Sequence, residues 1–162
     1  MHMTDFRELY TRYAADVYRF ALFLSGDAAE AEEIAAETFV RALTGKAPLV
    51  SATVKGYLLT IARNLHLESL RRRKRLAKLP PELPDPHAPL EHVFSQRTEL
   101  EALQVYLQTF PEADRAVLLL RADGVAYHEI ASALSISLAS AKVKVHRLRL
   151  KLAEWRANRE PT

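Results

Sequence analysis

A short proline-rich segment divides this chain of 162 residues into two parts. Five of the eight prolines lie within residues 80–89. Proline fixes φ and lacks a backbone N–H, so a segment of this composition cannot form a helix and favours an extended linker. We therefore predict two domains, residues 4–78 and residues 91–157, joined by a linker over residues 79–90.

The residues on both sides of the linker predict helices. Only four glycines occur in the chain, runs of β-branched residues are few, and Ala, Leu, Arg and Glu are abundant, as is typical of helices. We predict an all-α fold of two small helical domains joined by a proline-rich linker, the second ending in a helix-turn-helix. Parts of about 70 residues suit helical bundles rather than large enzyme clefts.

Three helices are predicted in the first part. Apolar residues spaced by three and four predict a helix over residues 4–24. Asp27 followed by Glu30 resembles a capping box that opens a second helix over about residues 28–43. A third, long helix follows over about residues 53–78 and ends in a run of arginines.

The second part ends in two helices separated by a serine-containing turn. After helices predicted over residues 90–109 and 111–123, a further helix ends at Leu134. Ser135-Ile136-Ser137 breaks the pattern, because serines compete for backbone hydrogen bonds and favour turns and caps. Ser137 is well placed to cap the last helix. The predicted apolar stripe of that helix consists of Leu138, Ala141, Val145, Leu148 and Leu152.

The positive charge is concentrated in two blocks. The net charge is only +3, but residues 51–79 hold eight Lys and Arg against one Glu, and residues 138–162 hold seven against two. Two basic blocks in a nearly neutral chain suggest two contacts with one polyanion. A short turn followed by a cationic helix is the arrangement of a DNA-binding helix-turn-helix. The alternative for the last helix, taken alone, is a solvated basic helix.

Other classes of protein find little support in the sequence. The chain has no cysteine, no glycine-rich phosphate loop and no nucleophile elbow. His128-Glu129 begins like a zinc-protease motif, but Ser132 stands where the second ligand is needed. No apolar run is long enough to span a bilayer, and the start, where Met3 is the expected natural first residue, has no signal-peptide pattern. We therefore expect no catalytic residue, metal or cofactor, no membrane insertion, and a cytoplasmic location.

Three stretches carry a family resemblance, and they occur in order across almost the whole chain. Residues 25–43, residues 57–73 and residues 110–121 with the following helix-turn-helix resemble the bacterial RNA polymerase sigma factors of the extracytoplasmic-function (ECF) class. The first stretch is similar to the core-binding helix of region 2, the second to the promoter-melting helix, and the third to region 4. The resemblance implies an alternative sigma factor that binds core RNA polymerase and directs promoter-specific transcription initiation.

The resemblance also implies partners. Region 2 would dock on the β′ clamp helices of bacterial core RNA polymerase, and region 4 on the β flap. On the acidic second helix we expect Glu33, Ile34 and Glu37 to make the core contact; the alternative is that Ile34 is a core position and the glutamates are merely solvated. An anti-sigma factor is a further expected partner. The free protein should be a monomer, associated with the nucleoid when it is in the holoenzyme.

The DNA contacts implied by the resemblance lie on two helices. Asn64 falls where the family has an asparagine that contacts the flipped-out minus-ten strand, and its amide can both donate to and accept from a base edge. The cations expected to neutralise phosphates there are Arg63, Arg71, Arg72 and Arg73. The positions expected to contact the minus-thirty-five element in the major groove are Ser140, Lys142, Val143, Lys144, His146 and Arg147. For the arginine run, the alternative is a solvated helix end that complements the helix dipole.

The sequence departs from the family pattern at a few of these positions. Val143 stands where a small polar residue is usual and Ala139 where glycine is common, which affects the promoter preference. Ser135 replaces a frequent turn glycine, and Ala36 replaces a glutamine in the core-binding motif. Two other functions remain: a sigma-like decoy that binds an anti-sigma factor without binding a promoter, and a dimeric helix-turn-helix repressor. The presence of both basic blocks favours promoter binding over the decoy.

Overall fold

The computed structural model describes residues 3–45, 53–78 and 98–159, and all the regular structure in these ranges is helical. The predicted linker over residues 79–90 lies outside the described residues, as does most of the loop that precedes the third helix. The helices are α1 (Met3–Ser25), α2 (Ala28–Thr44), α3 (Val54–Leu76), α4 (Glu99–Leu107), α5 (Glu112–Ala122), α6 (Tyr127–Leu134) and α7 (Leu138–Arg159). The predicted all-α class is confirmed.

Side-chain caps fix the starts of the helices in the first half. The Asp27 carboxylate accepts hydrogen bonds from the backbone N–H groups of Ala29 and Glu30, and so begins α2. The other half of the predicted capping box is wrong. Glu30 does not bond back to the Asp27 N–H, which instead donates to the Ser25 hydroxyl. The Glu30 side chain is buried against α3, where tertiary partners compete successfully for it.

The second half has the predicted turns, with small shifts at the ends of helices. The described part of the first helix begins at its cap Thr98, so the predicted start near residue 90 lies outside the described residues. Pro111 is the N-cap of α5 rather than its first helical residue. Ser135 adopts the left-handed conformation at φ +55° between α6 and α7. Ser137 caps α7 by accepting from the Ser140 N–H at 3.0 Å, as predicted.

The two halves share one apolar core. Buried residues of α1, α2 and α3 form a continuous cluster with buried residues of α5, α6 and α7. Helix α1 makes this possible because it packs against α2 and α3 on one side and against α4 and α5 on the other. Val17, Phe20, Ala21 and Leu24 of α1 are each exposed by 1% or less. The described residues contain no helix both long and apolar enough to cross a membrane.

Candidate nucleic-acid and polymerase interfaces

The last helix buries one face and exposes the residues predicted to contact DNA. Ala141, Val145 and Leu148 are buried by the packing of α7 on α5 and α6. The opposite face is exposed, and it carries Lys142, Val143, His146 and Arg147. The predicted stripe is wrong at its first position, because Leu138 is 45% exposed. Val143 is 59% exposed and lies between two lysines in the sequence. An exposed apolar side chain in a cationic surface suits contact with a base edge rather than with bulk water.

Two further predicted positions on α7 are less accessible. Ser140 is partly buried, and its backbone N–H is engaged by the cap of the helix. The Lys144 ammonium lies 3.2 Å from a carboxylate oxygen of Asp114 on α5. Lys144 is therefore partly neutralised within its own half of the chain, whereas the exposed Arg147 presents its charge to solvent.

Helix α3 separates its predicted DNA-contacting residues into two groups. Asn64, Arg71 and Arg72 are exposed. Arg63 instead faces α5, where its Nε and one terminal nitrogen donate to the two carboxylate oxygens of Glu112 at 2.8 and 2.9 Å. The Arg63 side chain is only 11% exposed. The structure therefore brings Asn64, Arg71 and Arg72 to the surface, whereas Arg63 takes part in the contact between the halves.

Arg73 belongs to a buried ionic cluster that joins α3 to α2. One of its terminal nitrogens donates to Glu30 at 2.5 Å, and Nδ1 of His66 lies 3.1 Å from the other oxygen of that carboxylate. Burial on its own would raise the pKa of Glu30. The hydrogen bond with His66 and the positive charge of Arg73 outweigh burial and lower the pKa of Glu30 from 4.5 to about 2. This cluster holds α3 against α2.

The predicted core-binding residues on α2 lie at different depths. Glu33 and Glu37 are exposed, whereas Ile34 is only 4% exposed and belongs to the apolar core. Glu37 is bonded to Arg41, which also forms a bidentate pair with Glu68 of α3. Because Ile34 lies beneath the surface, an approaching partner meets the glutamates before it meets this side chain.

Sequence reasoning placed Ala36 in the core-binding motif but missed the exposed Val40 on the same surface. Ala36 is exposed and Val40 is 51% exposed, one turn apart on the same face as Glu33 and Glu37. A groove of about 540 Å³ separates this face from the arginine run, and it is lined by Glu33 and Glu37 on one side and by Arg71, Arg72 and Arg75 on the other. The spacing of Glu33, Ala36, Glu37 and Val40 is the signal that could have identified this face.

Sequence reasoning also missed the polar contacts between the halves. The Asp123 carboxylate lies 3.2 Å from the Arg19 guanidinium and 3.4 Å from the Lys55 ammonium. The buried Arg115 guanidinium donates to the carbonyls of Leu24 and Phe110 at 2.9 and 2.6 Å. Burial lowers the pKa of Arg115, against the opposing effect of the Glu112 charge. No spacing along the chain signals the Asp123 pairs or the Arg115–Leu24 bond, because their members are far apart in sequence.

The described ranges contain no cluster of three or more His, Asp or Glu side chains that could hold a metal ion. What the geometry provides is two helical units, each exposing a basic helix, with a helix-turn-helix in the second. This combination defines a bipartite helical DNA-binding protein.

Comparisons with known proteins identify the family. Sigma-70 region 2 matches residues 9–76, and sigma-70 region 4 matches residues 100–152. The chain is 32% identical to the ECF RNA polymerase sigma factor SigE of Mycolicibacterium smegmatis, over 96% of this chain and 63% of the relative. It is 30% identical to the sigma factor EcfG of Rhodopseudomonas palustris, over 83% of this chain and 75% of that protein. For SigM of Bacillus subtilis, the identity is 29% over 90% of this chain and 91% of the relative.

A solved structure has the same fold. It is the complex of the sigma factor RpoE with the anti-sigma factor NepR from Bartonella quintana, which matches with a TM-score of 0.76 at 20% identity. The match covers 98% of this chain and all of the other. The family-model matches and the sequence relatives show that the chain belongs to the ECF sigma factors and has their regions 2 and 4. It is an alternative sigma factor, of the class that directs promoter-specific transcription initiation.

Proposed function

We propose that this chain binds bacterial core RNA polymerase and recognises promoter DNA at two points, the minus-ten element with α3 and the minus-thirty-five element with α7. The observation that carries the proposal is the exposure of one basic helix in each of the two sigma regions. Catalysis would belong to the polymerase and not to this chain. We place the protein in the cytoplasm, associated with the nucleoid in the holoenzyme.

At the minus-thirty-five element, α7 would enter the major groove with Val143, His146 and Arg147 at the centre of the contact. Arg147 can donate to the acceptors of a guanine edge, and Val143 can pack on a thymine methyl group. Lys142 would contact the flanking phosphates and Ser140 would approach the backbone. Lys144 would exchange its carboxylate partner Asp114 for DNA, which makes its contribution smaller than that of an unpaired lysine.

At the minus-ten element, Asn64 would hydrogen-bond a flipped-out base, and Arg71 and Arg72 would neutralise phosphates of the separated strand. Arg73 would act differently from its neighbours. Its bond to the buried Glu30 supports a role in holding α3 against α2, with at most a secondary contact to DNA. Arg63 can reach DNA only after its bidentate pair with Glu112 is broken.

The polymerase contact would use the exposed face of α2. Glu33 and Glu37 provide negative charge, and Ala36 and Val40 provide apolar area between them, which suits a basic helical partner such as the β′ clamp helices. Ile34 would support this face from beneath. We further propose that region 4 contacts the β flap and that an anti-sigma factor regulates the protein, as supported by the RpoE–NepR complex.

Charge reversal separates the two activities. The double substitution Lys144→Glu and Arg147→Glu should abolish promoter-specific initiation and leave binding to core polymerase intact. Glu33→Lys with Glu37→Lys should have the opposite primary effect and weaken core binding. The matched control is Arg156→Glu with Arg159→Glu, which makes the same charge change at the far end of α7. Loss of core binding in the Lys144→Glu and Arg147→Glu variant would contradict the assignment of DNA binding to α7 and core binding to α2.

A decoy and a repressor predict different results in the same assays. A sigma-like decoy would bind an anti-sigma factor but would give no transcripts with core polymerase. A helix-turn-helix repressor would be a dimer, whereas we expect a monomer by sedimentation. Exposed cations on both DNA-facing helices support the sigma function, since a decoy has no use for them.

A further inference from the structure

Polar contacts across the shared core hold regions 2 and 4 against each other in a closed arrangement. The contacts involve the Arg63–Glu112 pair, the Asp123 carboxylate with Arg19 and Lys55, and the Arg115 bond to the Leu24 carbonyl. These polar contacts add to the apolar core that the two halves share. The proposed function requires the two units to contact separate DNA elements. The contact surface is therefore one that must open during function.

The Arg63–Glu112 pair has the geometry of an arginine–phosphate contact. Two nearly equal N–H···O bonds of 2.8 and 2.9 Å join the guanidinium to both carboxylate oxygens. The same planar fork binds the oxygens of a phosphate, which is why arginine serves both ligands. Exposures of 11% and 16% for the two side chains exclude most of the water that would weaken the pair.

We propose that Glu112 is an internal competitor of DNA, which occupies Arg63 and thereby keeps region 4 closed on region 2 until a nucleic-acid phosphate takes its place. The inference rests on the proposed role of Arg63 at the minus-ten strand. It assigns to Glu112 a regulatory role that its position at the start of α5 would not suggest. We call the Arg63–Glu112 pair the latch. Because Arg63 belongs both to the latch and to the proposed DNA site, the closed state and the DNA-bound state exclude each other.

The dimensions of the molecule require such an opening. The minus-ten and minus-thirty-five elements are about 25 base pairs apart, which is roughly 85 Å of B-form duplex. A compact chain of this length has a radius of gyration of about 15 Å and is therefore only about 40 Å across. The closed chain cannot contact both elements at once. Its apparent DNA affinity is therefore reduced by the fraction of molecules that are open.

The experiment uses the full chain, which contains no cysteine and can be labelled at introduced ones. Glu32→Cys and Ala157→Cys place one dye on an exposed position of each region. Energy transfer between the dyes reports closure, and binding of a 20-nucleotide oligothymidine reports access to the strand-binding surface. Both are measured for the parent chain, for Glu112→Gln, for Arg63→Gln and for the control Glu99→Gln. Glu99 is a highly exposed carboxylate of the same region, and it lies 4.0 Å from the Arg156 guanidinium.

Glu112→Gln and Arg63→Gln should both reduce energy transfer, since each removes the latch. Their effects on DNA binding should be opposite. Glu112→Gln should tighten oligothymidine binding about tenfold, because a larger fraction of molecules is open and Arg63 is released. Arg63→Gln should weaken binding, because it also removes a phosphate contact. Glu99→Gln should change neither quantity.

Two results would overturn the proposal. Unchanged energy transfer and unchanged affinity in Glu112→Gln would show that the pair does not hold the regions together. Weaker binding in both variants, by similar factors, would show that the pair is only structural; circular dichroism confirms that the compared variants are folded. Run-off transcription separates this from the proposed function. If the parent chain gives transcripts but Glu112→Gln changes neither energy transfer nor affinity, the latch is refuted and the sigma function stands. If Glu112→Gln reduces energy transfer but no variant gives transcripts, the sigma function is refuted and the latch stands.

Discussion

The buried carboxylate of Glu30 should make a large and pH-dependent contribution to stability. Its pKa is lowered from 4.5 to about 2 in the folded protein, although burial by itself acts in the opposite direction. A shift of this size, at 1.36 kcal/mol per pKa unit, corresponds to about 3 kcal/mol of stabilisation at pH 7. Glu30 is only 2% exposed, so solvent screening does not reduce this figure much.

The sign follows from the direction of the pKa shift. A carboxylate with a depressed folded pKa stabilises the protein fully above its unfolded pKa, and the stabilisation is lost as the pH falls through the folded pKa. For Glu30 the loss occurs between about pH 4.5 and about pH 2. The contribution should therefore fall from about 3 kcal/mol at pH 7 to about 2 kcal/mol near pH 3.5.

Urea denaturation of Glu30→Gln tests this account. The free energy of unfolding should be about 3 kcal/mol lower than that of the parent chain at pH 7, and the difference should narrow at pH 3.5. Glu33→Gln, an exposed carboxylate on the same helix, is the matched control and should change stability by less than about 0.5 kcal/mol. A difference for Glu30→Gln that is below 1 kcal/mol, or that is the same at both pH values, would refute the reasoning.

Three further substitutions test local features by the same denaturation assay. Ser135→Gly should stabilise the protein by about 0.5–1 kcal/mol, since glycine relieves the left-handed φ of +55°; a loss of stability would contradict this. Gly26→Ala should cost about 1–2 kcal/mol, because φ is +73° and a Cβ would lie 2.8 Å from the Gln108 side chain; a neutral result would be contrary evidence. Arg115→Met should cost about 2–4 kcal/mol, because it removes the buried donor that bonds the Leu24 carbonyl across the two regions; an unchanged midpoint would argue against that bond.

Local patterns in the sequence predicted the helices well, because helices and their caps are formed by residues close in sequence. Asp27 caps α2 and Ser137 caps α7 as their positions predicted. The turn at Ser135 was likewise indicated by the serines that interrupt the apolar pattern, and its left-handed conformation is a finding of the structure. These elements depend on interactions over three or four residues, which a single sequence displays directly.

The contacts between helices were not predictable in the same way. Local spacing assigned Glu30 to a capping box, whereas a buried His66 and Arg73 on another helix bind its carboxylate. Arginine is a residue type that commonly contacts phosphate, yet Arg63 is paired with Glu112, 49 residues away in the sequence. The depth of Ile34 depends on how α2 rotates against its neighbours. The packing of the helices determines these partners and depths. A prediction from residue type alone therefore cannot distinguish a DNA-binding cation from a structural one.

Run-off transcription with purified bacterial core RNA polymerase tests the central claim most directly. The assay compares core alone, core with this protein, and core with the Lys144→Glu and Arg147→Glu variant, on a library of candidate promoters that includes the region upstream of its own gene. The sigma function predicts new transcripts from defined start positions with the parent protein, and none with the variant. Folded protein that binds core but yields no defined transcript from any template, or transcripts that persist unchanged in the variant, would contradict it.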